Sequence, residues 1–324
     1  MKNRKKILIV GYGSIGKRHT ENLLSNFDVD IIIYTKRNDL SFKTNKIKIF
    51  NSLDKCLKEN PDIGFITNET KFHISIALKL AKQGLDLFIE KPLSNSLKQI
   101  DLLQKVVNKK KLITQIGCNW RFHPCISEIK QIIDDKLLGK IITIRVENNS
   151  FLPDWHPWED YRLGYAANKK LGGGVVLSQI HELDYMYWFF GSPLQISSIT
   201  GHFSDLEIST DDTSINILKF KKNIIGELHL DFFQRPDFKS CKIRGTKGTL
   251  YWDTDINKIK IFDPEKSKWK IYFSPKKYSK NLMYVNELTH FMKCVKNKKN
   301  TINDLDQGID TLKIALSMLN SLKK

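Results

Sequence analysis

The sequence predicts an α/β protein, with an N-terminal Rossmann-type, doubly wound parallel sheet followed by an α+β domain built on a large, mostly antiparallel, open-faced sheet. Up to residue 118, short apolar strands alternate with amphipathic helices, which is typical of parallel βαβ units. From residue 119 onward, long β-rich segments are joined by short polar turns, which is typical of antiparallel neighbours. We therefore predict two domains, 1–118 and 119–324.

Composition excludes several classes of protein. Of 324 residues, 41% are hydrophobic and 27% charged, as in globular domains. No apolar run approaches the roughly 18 residues of a membrane span, and the basic start leads directly into a strand, so we expect a cytoplasmic protein without a membrane partner. The five cysteines lack zinc-site spacing, so we expect no metal. The net charge of +18 is spread along the chain; we expect no nucleic-acid partner, and nucleic-acid binding remains a rival that salt would reveal.

The first strand, residues 7–10, runs into glycines at GxGxxG spacing in KILIVGYGSIGKRH. Gly11 makes the turn, Gly13 lets the backbone approach a pyrophosphate, and Gly16 lets the following helix pack closely on the strand. The helix N-terminus then favours an anion. An ordinary βα turn is the alternative. The predicted cofactor contacts of this loop are Gly11, Tyr12, Gly13, Ser14, Ile15 and Gly16.

The second strand, 29–34, ends where enzymes selective for NAD usually carry an acidic residue for the ribose 2′-hydroxyl. This chain has Thr35, Lys36 and Arg37 there. One hydroxyl and two cations suit a 2′-phosphate, so we predict NADP as the preferred cofactor and NAD as the alternative. Lys36 and Arg37 are otherwise ordinary solvated loop charges.

The remaining βα units follow in order. We predict helices at 54–60, 74–84 and 97–107 and strands at 62–67, 87–89 and 112–117. Ligands collect beyond the carboxyl ends of parallel strands, so residues that follow these strands are candidates for the site. They are Thr67, Asn68, His73, Glu90 and Lys91. For Lys91, the alternative is a surface lysine paired with Glu90.

The second half begins with a predicted helix at 126–138. Predicted strands follow at 140–151, 196–203, 213–220, 225–233, 239–244, 249–252, 258–262 and 268–273. A helix is predicted at 175–190, and two more, 285–295 and 305–322, finish the chain. We expect the last of these to pack back on the N-terminal domain.

Two groups of side chains in this half suit a carbohydrate. Helix 175–190 carries His181, with Ser178, Asp184 and Tyr185 three or four positions away and predicted on the same side. A core histidine satisfied by Asp184 is the alternative. Between residues 120 and 162, aromatic faces and charge-bearing donors suit an acidic or phosphorylated sugar, unless the tryptophans are core, which we favour for Trp120. The candidate substrate contacts are Arg121, His123, Trp155, His156, Arg162 and Ser178.

Three stretches, GYGSIGKRH, IEKPL and GGGVVLSQIHELD, stand in one order along the chain. Together they resemble the Gfo/Idh/MocA family, named for glucose-fructose oxidoreductase and inositol dehydrogenase, over essentially the full length. The resemblance implies NAD(P)-dependent oxidation or reduction of a sugar or polyol hydroxyl. It also implies that Lys91 hydrogen-bonds the reacting oxygen, that His181 exchanges its proton, and that the bond to Pro92 is cis. It further implies that residues 1–118 bind the dinucleotide and that residues 119–324 bind the substrate and form a homodimer or homotetramer.

The middle of the chain, residues 121–124 and 152–161, resembles a branch of enzymes of bacterial surface-sugar metabolism. We therefore predict a sugar dehydrogenase or reductase acting on a nucleotide-activated or acidic sugar in surface-polysaccharide biosynthesis. Alternatives are a catabolic inositol or free-sugar dehydrogenase and a non-catalytic NAD(P)-binding sugar sensor. The sequence departs from the family at Ser178, where an aspartate is usual, and at Glu69, where a proline is usual. The proton relay is then either His181 with Asp184, or Lys91 itself.

Overall fold

The computed structural model describes residues 4–42 and 44–320, and the chain forms two compact units. The first comprises the described residues up to Cys118 together with Tyr284–Ile309; the second comprises Asn119–Met283 and the described residues from Asp310 onward. The predicted boundary at 118 agrees with this division, but the predicted second domain, 119–324, does not. The reason is packing, because Leu288 and Phe291 belong to the core that contains Phe65 and Phe88.

The first unit contains a six-stranded parallel sheet in the order β3-β2-β1-β4-β5-β6. The strands are β1 Lys5–Val10, β2 Val29–Tyr34, β3 Ile47–Phe50, β4 Ile63–Ile66, β5 Asp86–Glu90 and β6 Thr114–Gly117. The helices are α1 Ser14–Asn26, α2 Leu53–Lys58, α3 His73–Gln83 and α4 Ile100–Lys110. The sequence prediction missed β3, a four-residue edge strand with no fully buried residue. The doubly wound sheet is otherwise as predicted.

The strand order reverses direction between β1 and β4, which pair in parallel. In open sheets of this kind, ligands bind beyond the carboxyl ends of the strands at such a reversal. The glycine turn follows β1 there, Thr67 follows β4, and Lys91 follows β5. The fold of the first unit thus places these predicted residues along one sheet edge.

The second unit contains an eight-stranded sheet in the order β14-β13-β12-β11-β7-β10-β9-β8. Its strands are β7 Ile141–Asn149, β8 Gln195–Gly201, β9 Thr213–Phe220, β10 Ile224–Asp231, β11 Phe238–Gly245, β12 Gly248–Asp253, β13 Ile259–Asp263 and β14 Lys268–Phe273. Only the pairing of β10 with β7 is parallel; the other six pairings are antiparallel, so the mostly antiparallel sheet is confirmed.

The helices of the second half are α5 Pro124–Asp134, α6 Val175–Ser178, α7 Ile180–Phe190, α8 Lys280–Asn297 and α9 Leu305–Asn320. The predicted single helix 175–190 is therefore wrong. It is interrupted at Gln179, which has φ −100° and ψ 36° and whose side-chain amide donates to Ser150 Oγ and to the Asp231 carbonyl. Helix α8 begins in the second unit and continues in the first, whereas α9 begins in the first and continues in the second. The predicted end of the last helix at Leu322 lies outside the described residues.

Within the described residues, none of the helices is long and apolar enough to cross a membrane.

Candidate functional site

The glycine turn after β1 has the geometry that the sequence predicts. Gly11 has a φ of +96°, and its N–H donates to the Tyr34 carbonyl over 3.0 Å. A Cβ on Gly16 would collide with the Gly11 carbonyl oxygen, so only glycine allows this close packing of turn and helix. A Cβ on Gly13, by contrast, would meet no atom within 4 Å, so Gly13 faces space that a ligand can enter.

Several features of this turn fit a bound dinucleotide. Helix α1 begins at Ser14, and Gly13 in the N-cap position supplies no side-chain cap to its first N–H groups. The buried Oδ1 of Asn68, which neighbours Gly11, has no hydrogen-bond partner among the described residues and suits a ligand hydroxyl. Ser14 is exposed and Ile15 half-buried. Tyr12 is buried against the Phe42 ring, so its side chain supports the turn.

The residues after β2 are those that were predicted to decide between NAD and NADP. Thr35 is buried, and its Oγ1 accepts a hydrogen bond from the Arg37 N–H. The exposed Arg37 guanidinium donates two hydrogen bonds to the Asp39 carboxylate, from Nε over 3.0 Å and from Nη2 over 2.6 Å. Lys36 is exposed. A carboxylate therefore already pairs with Arg37, one of the two cations that were predicted to meet a 2′-phosphate.

Thr67 and His73 connect the segments beside the turn. The Thr67 hydroxyl is 2.7 Å from the Gly11 carbonyl oxygen, to which it donates. His73 was predicted to contact the cofactor, but its ring is 1% exposed, with Nδ1 2.9 Å from the Pro92 carbonyl oxygen and Nε2 2.9 Å from the Asn68 carbonyl oxygen. Both ring nitrogens face protein carbonyls, so the predicted direct contact is corrected: His73 binds protein backbone.

Glu90 and Lys91 close β5. The Lys91–Pro92 peptide bond is cis, as the family resemblance implies. Glu90 was also predicted to contact the cofactor, but its buried carboxylate lies 2.7 Å from His19 Nε2, and its other oxygen accepts the Lys91 backbone N–H at 3.1 Å. That prediction is corrected as well, because the carboxylate faces the protein interior.

In the second unit, His181 is the second residue of α7 and is half-buried. The short helix before it is held at its N-terminus by Asp211, whose backbone oxygen and Oδ2 accept from the N–H groups of Val175 and Val176. Because the helix is interrupted at Gln179, Ser178 and His181 lie on different helices. The prediction that they share one helical face is therefore wrong, and Ser178 is buried in α6.

Arg121 and Asp184, predicted separately, form a buried ion pair. Nε and Nη2 of Arg121 donate to the two carboxylate oxygens over 2.7 and 2.8 Å, and both side chains are at most 1% exposed. The pair connects the turn before α5 to α7. Each charge is neutralised by the other, so Arg121 does not present the solvent-facing cation that was predicted to meet an acidic sugar.

His123 is also interior. Its ring stacks on Trp120 at 4.9 Å and is edge-on to Trp252 and Tyr278. Nδ1 accepts the Cys125 N–H and so caps α5. Burial lowers the pKa of His123 to about 4, which keeps the ring neutral. Its predicted substrate contact is corrected, since the side chain is 1% exposed. Trp120, which was predicted to be a core residue, is half-buried in this stack.

The other predicted substrate residues lie nearer the surface. Trp155 is half-buried, donates from Nε1 to Ser150 Oγ, and lies edge-on to Phe232. His156 is exposed. Arg162 is exposed too, and its guanidinium pairs with Asp160 and Glu207.

Sequence reasoning missed Glu182. This carboxylate is fully buried on α7, accepts from Asn148 Nδ2 at 2.8 Å and pairs with Lys239 Nζ at 3.0 Å. The Lys239 amine also lies 5.0 Å above the Trp120 ring. Neighbouring strands and α7 thus supply a polar cluster, and its only sequence signal was a glutamate inside an apolar helix.

The fold and the turn define the class first: an α/β oxidoreductase with a dinucleotide-binding domain. Residues 5–118 match the model of an oxidoreductase family with an NAD-binding Rossmann fold, and residues 126–251 match the GFO/IDH/MocA C-terminal domain. The two models together match most of the chain. The protein belongs to the GFO/IDH/MocA oxidoreductase family and is an enzyme that uses a nicotinamide cofactor.

Similar proteins include two inositol dehydrogenases. Myo-inositol 2-dehydrogenase of Thermotoga maritima is 25% identical over 90% of this chain and 88% of its own length. Scyllo-inositol 2-dehydrogenase (NAD(+)) of Bacillus subtilis is 23% identical over 100% of this chain and 95% of its own. A solved levoglucosan dehydrogenase in complex with NADH superposes with a TM-score of 0.89 at 14% identity, covering 99% of this chain and 97% of that one. This last likeness confirms the fold.

Proposed function

We propose that the protein is an NAD-dependent dehydrogenase that oxidises, or in reverse regenerates, a CH–OH group of a sugar or polyol. One observation carries the proposal: the fold places Lys91 at the same sheet edge as the glycine turn, both of them beyond the carboxyl ends of parallel strands. The inositol and sugar substrates named for similar proteins support the substrate class.

The proposed roles follow from the chemistry of an alcohol. When bound, the nicotinamide takes up the hydride and its electron pair from the carbon. The amine of Lys91 donates a hydrogen bond to the reacting oxygen, and the hydroxyl proton leaves to a basic side chain as the carbonyl forms. His181 is proposed for that proton exchange. Asp184 is proposed to orient α7 through Arg121, because that ion pair already engages its carboxylate.

We propose NAD rather than NADP as the working cofactor. The bidentate pair with Asp39 neutralises Arg37, one of the two cations predicted for a 2′-phosphate. The family model is described as NAD-binding, and one similar dehydrogenase is named for NAD(+). An exposed pair of this kind contributes only about 0.2–1 kcal/mol, so the choice is open to change by single substitutions. NADP preference stays the prediction of the sequence.

For the substrate we propose a free polyol or sugar. The similar proteins include inositol dehydrogenases, and the predicted cations for an acidic sugar, Arg121 and Arg162, are paired with carboxylates. These observations favour the catabolic alternative over a nucleotide-activated sugar. The two inositol dehydrogenases do not support the predicted place in surface-polysaccharide biosynthesis, which stays a prediction.

A second copy of this chain is the proposed partner. One face of the sheet in the second unit exposes a group of isoleucines to between 36% and 59%, which is unusual for a sheet face left in water. They are Ile199, Ile215, Ile217 and Ile225. Light scattering should show a dimer or tetramer, and Ile215→Glu with Ile217→Glu should yield monomers.

The test of the enzyme is the absorbance of reduced nicotinamide, recorded with NAD and NADP in parallel. The panel contains myo- and scyllo-inositol, free hexoses, anhydro-sugars, sialic-acid-like sugars and UDP-, GDP- and CMP-linked sugars. Oxidation of a polyol or free sugar with NAD supports the proposal. Activity with nucleotide-linked sugars alone would refute the substrate proposal and restore the biosynthetic prediction.

The role of Lys91 is tested with Lys91→Met and Lys91→Arg. Loss of one hydrogen-bond donor to a reacting oxygen costs about 10²- to 10³-fold, so Lys91→Met should lower kcat/KM by a factor in that range, while calorimetry shows cofactor binding retained. Lys79→Met, which removes an exposed lysine of α3 paired with Asp54, is the matched control and should keep full activity. Sugar binding that persists without turnover in the parent protein would instead indicate the sensor.

A further inference from the structure

Lys91 is bracketed by two buried histidines that come from different helices. His19 lies on α1 and has no exposed surface; His73 begins α3 and is 1% exposed. Neither side chain reaches the surface, so neither serves as a proton donor to solvent. Each, however, contacts the segment Glu90–Lys91–Pro92 at one end.

The first contact reaches the backbone before Lys91. His19 Nε2 lies 2.7 Å from Glu90 Oε1, and since a carboxylate only accepts, Nε2 carries the hydrogen and donates. Glu90 Oε2 in turn accepts the Lys91 N–H over 3.1 Å. The chain of bonds therefore runs from a helix through a side chain to the amide of the lysine itself.

The surroundings of His19 fix this arrangement. Its ring lies 4.9 Å from the ring of Phe88, 5.7 Å from Phe65 and 6.1 Å from Tyr284. An apolar wall of this kind excludes water and strengthens the bond to the carboxylate. On the other side, Gly117 pairs with Glu90 across the sheet, and a Cβ there would lie 3.1 Å from the carboxylate. Glycine at this position leaves the room that the carboxylate occupies.

The second contact reaches the backbone after Lys91. Nδ1 of His73 lies 2.9 Å from the Pro92 carbonyl oxygen, and Nε2 lies 2.9 Å from that of Asn68. Burial lowers the pKa of His73, so the ring is neutral and donates to one of these carbonyls. The ring lies between the residue after Lys91 and the turn after β4, and a bond to the Pro92 carbonyl places the hydrogen on Nδ1.

We propose that His19 and His73 are positioning residues that hold Lys91 at its place on the sheet edge, His19 through the carboxylate of Glu90 and His73 through the carbonyl of Pro92. The proposal rests on the proposed role of Lys91. A hydrogen-bonding group must be held close to its productive geometry, and a displacement of about 1 Å costs about 10²-fold in rate. Two helices and a buried carboxylate supply that rigidity here.

The test compares matched variants of His19. His19→Leu removes the donor, while the amide of His19→Gln can occupy the position of Nε2 and donate to Glu90. We expect His19→Leu to lower kcat by about 10²-fold while the dissociation constant for NADH changes less than about threefold, and His19→Gln to recover most of kcat. If His19 had only a structural role, His19→Leu and His19→Gln would lower the melting temperature equally, and kcat of the folded protein would be unchanged.

Variants of His73 separate its two contacts. The amide of His73→Asn matches Nδ1 and can donate to Pro92, whereas that of His73→Gln matches Nε2 and can donate to Asn68. Only the Pro92 contact reaches the lysine segment, so Asn should retain more of kcat than Gln. The reverse order, or equal values, would overturn the assignment of His73.

His290→Leu is the control. His290 is a partly buried histidine of the same unit; it lies on α8, and its Nε2 accepts the Ile302 N–H and lies 3.6 Å from Cys294 Sγ. Its loss should lower stability and leave kcat intact.

Amide hydrogen exchange of residues 86–95 in the cofactor-free protein gives a readout that needs no turnover. His19→Leu should speed exchange there, and His290→Leu should not. If the parent is inactive on every substrate while this pattern holds, the proposed function fails and the positioning stands. If the parent is active and His19→Leu retains full kcat and normal exchange, the positioning proposal is wrong.

Discussion

The glycine turn of the first unit and the segment 120–162 of the second differ in how their function is encoded. In the turn, function depends on the backbone: Gly11 needs a positive φ, Gly16 needs a missing Cβ, and no side chain of the N-cap residue caps the first N–H groups of α1. In the segment, side chains of the right chemistry are engaged with partners far away in sequence, as Arg121 is with Asp184. Local backbone demands can be read from short motifs, whereas side-chain partners depend on the tertiary fold.

The largest expected effect comes from breaking the buried pair in the second unit. Arg121→Met leaves the Asp184 carboxylate buried without its partner, which costs about 3–5 kcal/mol of the free energy of unfolding. All six tryptophans lie between residues 120 and 269, so urea unfolding followed by tryptophan fluorescence reports on this unit.

The double variant Arg121→Met with Asp184→Leu is the control for that prediction, because it removes both charges and should be much more stable than the sum of the single losses. A single variant that keeps its stability and loses only substrate affinity would contradict the structural reading of Arg121 and favour the role that the sequence predicts.

The second effect tests the backbone geometry of the glycine turn in the first unit. Gly16→Ala forces a Cβ against the Gly11 carbonyl oxygen, and overpacking of this kind costs about 1–3 kcal/mol. We expect weaker NADH binding in calorimetry, by roughly 10-fold or more. Gly13→Ala meets no atom of the protein, so it should leave the melting temperature unchanged and weaken cofactor binding alone.

The third effect is a pH dependence of the second unit. The pKa of His123 is about 4 when folded and about 6.5 when unfolded, so the unfolded state binds more protons between these values. Stability is therefore full above about pH 6.5, falls as the pH drops toward 4, and has lost about 2 kcal/mol at pH 5. His123→Asn keeps a capping side chain for α5 and removes the titration.

Urea unfolding at pH 7 and pH 5 for both proteins measures that difference. The loss between the two pH values should be smaller in His123→Asn than in the parent by about 2 kcal/mol. Equal losses would mean that His123 does not titrate as a buried ring.

The smallest effect concerns cofactor choice. Asp39→Asn releases Arg37 from its bidentate partner, and an exposed pair contributes about 0.2–1 kcal/mol, so KM for NADP should fall about 1.4- to fivefold with little change for NAD. In the Asp39→Asn background, Arg37→Ala should reverse the gain. An unchanged ratio of the two cofactors would show that Arg37 does not face the adenosine ribose.

Much of the first unit was predictable because strand, turn and helix are set by neighbouring residues. The glycine turn and the strand that ends at Glu90 are examples. Strand β3 was missed because its short, half-exposed sequence shows no buried run. The break at Gln179 was missed because its cause, hydrogen bonds to Ser150 and Asp231, is remote in sequence.

The predicted site residues also differ in whether a local motif or the tertiary fold sets their position. The positions that act through backbone stand where the motif requires, whereas Glu90, His73 and His123 have the right chemistry for a ligand but are turned inward. Their burial depends on rings such as Phe88 and Trp252, which no motif identifies.

The discontinuous first unit has a consequence for biosynthesis. Its aromatic core, in which Phe65 and Phe88 stack at 4.7 Å, is completed by Phe291, which is translated long after residue 118. N-terminal domains generally fold first as the chain emerges from the ribosome. Here the nascent first unit must wait, with an apolar surface uncovered, until the second unit's strands have been synthesised. During this interval the uncovered apolar surface is available to a chaperone. A chain that is cut after residue 118 keeps this surface uncovered.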